Sequence, residues 1–237
     1  MSRDHVLSRR KFLSVSGLAV AGVMLPACGT ASTSPRASTP ETPVADADQA
    51  LQRLLEGNRR YVAYKSVDLN ETETRRLEVA KGQSPFATIF GCVDSRVPPE
   101  LIFDRGLGDL FVIRTAGQVI DKAVLGSLEF GVEELDIPLL LVLGHERCGA
   151  VKATVEALEQ GTAVPAEIRF LVEGIKPAVE RVKDQSGDLL DNAVRANVEL
   201  VVGQLKKSSI LADAMTQGRL KIVGARYDLD TGVVDVL

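Results

Sequence analysis

The chain has 237 residues, 45% of them apolar and 25% charged, enough for one well-buried domain with a short leader beside it. A net charge of −4, with no interleaving of aromatics and arginines, excludes a nucleic-acid footprint. The three cysteines, Cys28, Cys92 and Cys148, are too few for a disulfide framework and point to a metal site or a reactive thiol, for which His145 is the one histidine outside the leader.

The N-terminus reads SRRKFLSVSGLAVAGVMLPACG. Arg9 and Arg10 precede Phe12, Leu13 and a Gly/Ala-rich apolar stretch to Leu25, the pattern of a twin-arginine export signal over residues 1–28. That stretch is short for a membrane-spanning helix. Leu25-Pro26-Ala27-Cys28-Gly29 also resembles a bacterial lipoprotein box, and a lipid on Cys28 would be the sole membrane attachment. Residues 29–45 are dominated by Ser, Thr, Pro and Ala and read as a flexible linker. The folded domain is expected over residues 46–237, exported to the periplasm or to the outer face of the cell membrane.

From Asp46 to Lys65 the spacing predicts an amphipathic helix, with Leu51, Leu54, Leu55, Tyr61 and Val62 inward and Glu56, Arg59 and Arg60 outward. Gly57 is a helix-weakening residue in its middle. A short helix is expected over Glu71–Lys81. FATIFGC, DLFVIRTAG and PLLLVLGH are continuous apolar runs suited to buried strands. The segment from Val124 to Leu135 lies between the last two and has helical spacing. A further helix follows His145 and closes at Gly161, and two more are expected over Glu167–Lys183 and Leu189–Ser208. LKIVGARYDL and GVVDVL form a last strand pair around the turn Asp230-Thr231-Gly232. Alternating strands and helices predict an α/β fold, a central and mainly parallel β-sheet flanked by helices. Such sheets place their sites at the carboxyl ends of strands, where Cys92 and His145 both fall. Gly91, Gly117 and Gly144 are read there as strand-exit glycines.

Cys92, Asp94 and Arg96 stand at alternate positions in GCVDSRVPPE, and His145 and Cys148 form an H-x-x-C step in GHERCGA. Cysteine, histidine and cysteine are ligand types that Zn²⁺ prefers, and three protein ligands leave a fourth position for chemistry. If the segment stays extended, Cys92, Asp94 and Arg96 share one side. Arg96 can then grip Asp94 through its planar fork and keep it ionised beside the metal. Taken singly, a buried thiol, a helix-capping histidine and an ordinary ion pair would account for these residues. Together they require four coincidences within two short segments.

At this point the chain resembles the β-class carbonic anhydrases, whose motifs are Cys-x-Asp-Ser-Arg and His-x-x-Cys-Gly. CVDSRVPPELIFD, GDLFVIRTAG, GSLEFGVEEL, GHERCGAV and the LLEGNRRYV helix all fit in order, from about Ala50 to the C-terminus. The resemblance implies reversible hydration of CO₂ to bicarbonate and a proton by zinc-bound hydroxide. It implies one Zn²⁺ per subunit on Cys92, His145 and Cys148, with Asp94 and Arg96 as catalytic dyad and Asp94 a fourth ligand only in a closed state. A homodimer or homotetramer is implied too, with an N-terminal helical arm over the neighbour. The chain departs from the family at Thr115 and Gln118, where asparagines are usual, and at Ala150 in place of a glycine. Two other readings stand beside it: hydrolysis of CS₂ or COS at the same zinc site, and a thiol-redox or binding protein in which Cys92 and Cys148 form a disulfide.

Overall fold

The computed structural model describes residues 43–161 and 163–237. The expected export signal, Cys28 and all but the last residues of the linker lie outside them. Val44 already packs against the core, so the folded part begins slightly before Asp46. Among the described residues no helix is long and apolar enough to cross a membrane.

Five strands, β1 (Ala87–Gly91), β2 (Leu110–Arg114), β3 (Leu139–His145), β4 (Lys221–Tyr227) and β5 (Val234–Val236), form one sheet in the order β2-β1-β3-β4-β5. The first four run parallel and β5 is antiparallel to β4. Every residue of β1 and β3 is buried, as expected of central strands covered on both faces, and this is why they read as unbroken apolar runs.

The helices are α1 (Ala47–Val62), α2 (Glu73–Val79), α3 (Pro99–Ile102), α4 (Lys122–Glu133), α5 (Gly149–Gln160), α6 (Ile168–Val182), α7 (Leu189–Leu205) and α8 (Ser209–Thr216). One face of the sheet, with Ile89, Leu141, Leu143 and Ala225, meets α1, α5 and α6; the other, with Phe90, Leu140, Val142 and Ile222, meets α4, α8 and much of α7. The sequence pattern missed α3 and α8. The helix expected to run to Ser208 stops at Leu205, because the Ser208 side chain accepts the Leu211 N–H and starts α8.

The N-terminal helix α1 is docked on its own chain, with Asp46 as N-cap and Leu54 fully buried. Asn58 ties it to β5, donating to the Ile102 and Gly232 carbonyls and accepting from the Val234 N–H. Arg60 is not solvent-facing as its helical position suggested; it pairs with the buried Asp104, which also accepts the Val67 N–H. Gly57 is a packing requirement. A Cβ there would stand 1.7 Å from the Phe103 carbonyl oxygen, so α1 crosses the end of α3 at backbone contact. Of the three strand-exit glycines, Gly144 is pressed by Val198 and Gly117 has φ +63°, whereas Gly91 faces open space and is not sterically required.

Candidate metal centre

Cys92 is the first residue beyond β1, His145 the last residue of β3, and Cys148 the N-cap of α5. The sheet therefore delivers two of the three donors at one carboxyl edge, and the sharp turn after β3 returns the third. All three side chains are buried, and their donor atoms lie within 4.8 Å of one another. The two sulfurs are 4.0 Å apart. A tetrahedral ion holding sulfur at ~2.3 Å sets such a pair about 3.8 Å apart.

The imidazole decides what this trio is for. Its Nδ1 lies 2.9 Å from the Glu146 carbonyl oxygen, which can only accept, so Nδ1 carries the proton and Nε2 presents a lone pair. Nε2 is buried and has no hydrogen-bond partner. An orphaned buried acceptor costs roughly 1–3 kcal/mol. Facing two sulfurs, it has the chemistry of a metal ligand whose outer nitrogen is fixed by a backbone carbonyl. The Cys148 thiol's hydrogen bond holds the Cys92 thiol below its ordinary range against the effect of burial, with His145 and the Gly117 N–H at 3.4 Å helping. The same bond and burial push Cys148 up. A dication would deprotonate both, so the donor set fits Zn²⁺.

Asp94 and Arg96 do meet, but not by strand alternation. The strand ends at Gly91, and Asp94–Val97 form a turn closed by the Val97 N–H on the Asp94 carbonyl at 3.1 Å. Arg96 thus folds back, donating to Asp94 Oδ1 from Nε at 2.9 Å and from its backbone N–H at 2.9 Å, and to Oδ2 from its guanidinium at 2.7 Å. The Arg96 side chain holds the Asp94 carboxyl down at about 2. Asp94 Oδ2 stands 3.9 Å from His145 Nε2.

Residues 87–234 match the family model described as carbonic anhydrase. Carbonic anhydrase 2 of Mycobacterium tuberculosis is 44% identical over 77% of this chain and 89% of its own length. Among solved structures, a Coccomyxa β-carbonic anhydrase in complex with acetazolamide aligns with TM-score 0.62 and 29% identity, over 82% of this chain and 87% of that one. The chain belongs to the β-carbonic anhydrase family. The carbonic anhydrase of Mycolicibacterium smegmatis is 42% identical over 79% of this chain and 91% of its own length.

For a member of the β-carbonic anhydrase family, the donors are braced by further side chains, of which sequence reasoning passed over Arg114 and Asn197. Arg114, the last residue of β2, donates to the Cys92 and Asp94 carbonyls. Asn197 on α7, buried, donates to the Gly117 carbonyl at 2.8 Å, while Gln118 reaches the Leu143 carbonyl at 3.0 Å. A signal was available for two of them: a lone arginine ends the apolar run LFVI, and an asparagine interrupts the apolar face of Val194, Val198 and Val201. A second acidic group, Glu146, Asp228 and Asp230, also gathers nearby, but Arg147 and Arg226 pair with these carboxylates. A cavity of about 890 Å³ lies at the opposite end of the sheet, among Asn70, Arg75, Phe86, Asp109 and Pro138, and none of the five expected site residues lines it.

Proposed function

We propose that this chain is a zinc-dependent enzyme that interconverts CO₂ and water with bicarbonate and a proton. The single observation that carries the reading is the buried, unpartnered His145 Nε2 facing two sulfurs 4.0 Å apart, with an arginine-clamped carboxylate oxygen 3.9 Å from that nitrogen. Cys92, His145 and Cys148 hold the ion, and their two thiolates offset its charge in a buried site. When bound there, Zn²⁺ supplies the Lewis acidity that brings the pKa of water towards ~7.

The remaining steps belong to the chain. The Glu146 carbonyl fixes the imidazole so that Nε2 faces inward. Asp94, kept ionised by the Arg96 side chain, accepts a hydrogen bond at Oδ2 from the water that will attack, orienting its lone pair towards CO₂. Arg96 keeps that carboxylate aimed through two parallel N–H bonds. A thiol-redox role would leave the orphaned Nε2 without purpose.

The protein is proposed to act outside the cytoplasm, on the strength of Arg9, Arg10 and the apolar leader, with Cys28 as the lipid site. A homodimer or homotetramer is proposed as the working assembly. The edge strand β2 is half-buried along its length, and Phe130, stacked on Phe111, remains substantially exposed beside it. Stopped-flow CO₂ hydration on metal-analysed mature protein tests the catalytic reading. One zinc per chain and fast hydration are expected; a zinc-free chain with a stable Cys92–Cys148 disulfide would overturn it.

A further inference from the structure

Where β1 leaves the sheet, its ladder with β2 runs out. The last backbone bonds are Thr115 N–H to the Gly91 carbonyl at 3.2 Å and Val93 N–H to the Thr115 carbonyl at 3.3 Å. Beyond them the carbonyls of Cys92 and Asp94 have no strand to pair with. The Arg114 side chain takes both, donating from Nε to the Cys92 oxygen at 2.7 Å and from its terminal nitrogen to the Asp94 oxygen at 2.6 Å. Its guanidinium is half-buried, and no carboxylate among the described residues is paired with it.

We infer that Arg114 is a positioning residue for the reaction, a side-chain rung that continues the β1–β2 ladder and fixes the peptide of Asp94 relative to that of Cys92. The inference rests on the zinc reading above. Its physical basis is the reach of a planar fork, whose donors span two acceptors that one ammonium cannot hold together. Asp94 hangs from this peptide, and so does the turn closed by the Val97 N–H on the Asp94 carbonyl. Arg96 sets the direction of the Asp94 carboxylate, while Arg114 sets where its backbone stands. Without both anchors the carboxylate drifts from its 3.9 Å station opposite His145 Nε2. Displacements of ~1 Å at a reacting centre cost about 10²-fold in rate.

The test compares wild type with Arg114→Lys, which keeps the charge and the stem but donates to one carbonyl at a time, and with Arg114→Met. Zinc per chain, kcat and KM for CO₂ are measured, together with amide hydrogen exchange at Val97. Both variants are expected to hold wild-type zinc and to lose kcat by roughly 10- to 100-fold at near-constant KM. Exchange at Val97 should accelerate while β1 and β3 amides stay protected. A general loss of packing would instead speed exchange throughout the sheet, and that result overturns the assignment. So does wild-type kcat in Arg114→Lys, whatever the Met variant does. If wild type itself carries no zinc and hydrates no CO₂, the functional reading fails, and the exchange comparison still judges the clamp.

Discussion

The two ends of the sheet make opposite use of their polar atoms. At the amino end a cavity of about 890 Å³ opens among Asn70, Arg75 and Asp109. There Asn70 donates to both Asp109 oxygens, and Arg75 is held by the Leu107 carbonyl. At the carboxyl end a buried imidazole nitrogen has no hydrogen-bond partner and faces two buried sulfurs. Cavity size follows how loosely loops cover a strand edge, whereas function follows polar groups that folding has left unanswered.

The sharpest way to break that comparison is to remove a donor. Cys148→Ser should lose zinc and CO₂ hydration together, with activity falling on the order of 10³-fold; metal analysis and stopped-flow assays on one sample would show it. Unchanged zinc content would refute the centre. Asp94→Asn keeps the donors and alters only the group that accepts the water's hydrogen bond, so zinc should remain while turnover drops about 10²-fold. A variant of full activity would move the catalytic role elsewhere.

Smaller effects sharpen the same contrast. Gly57→Ala places a methyl against the Phe103 carbonyl, and although alanine favours helices by about 1 kcal/mol, overpacking should cost at least ~2 kcal/mol. A fall in Tm of roughly 5 °C is the expected reading. Asp228 anchors the β4–β5 turn, and the Thr231 N–H holds its carboxyl below the ordinary 3.8. A carboxyl depressed in the folded state stabilises at pH above its unfolded value, and that contribution is lost as pH falls from about 4 through the folded value. Asp228→Asn should therefore flatten the acid limb of the stability curve slightly. Arg75→Gln, at the large cavity, should leave CO₂ hydration within about 2-fold of wild type; a larger loss would mean that the amino end shares in the reaction.

Much of this was legible because parallel sheets follow strong local rules. Continuous apolar runs gave β1, β3 and β4 to within about two residues, and Gly161 closed α5 where expected, at φ +63°. The donor trio could be read because its residue types have few other uses at strand ends. The dyad was read with the right partners but the wrong geometry: alternation would have aligned Asp94 and Arg96, whereas a turn folds one onto the other. Side chains that act on backbone carbonyls, such as Arg114 and Asn197, carry no spacing rule, since their partners lie 22, 20 and 80 residues away.

What the sequence by itself determined was the inventory: which segments are strands, which residues can bind a soft dication, and which carboxylate stands beside an arginine. Only the tertiary structure decided that His145 offers Nε2 rather than Nδ1, because the Glu146 carbonyl happens to face the other nitrogen. It also decided that Gly57 is needed, because α1 crosses the end of α3 at backbone contact. The physical reason is common to both. Residue type fixes what a side chain can do, but which of its atoms is left without a partner depends on how the folded backbone places its neighbours, adjacent in sequence as Glu146 is or remote as Phe103 is.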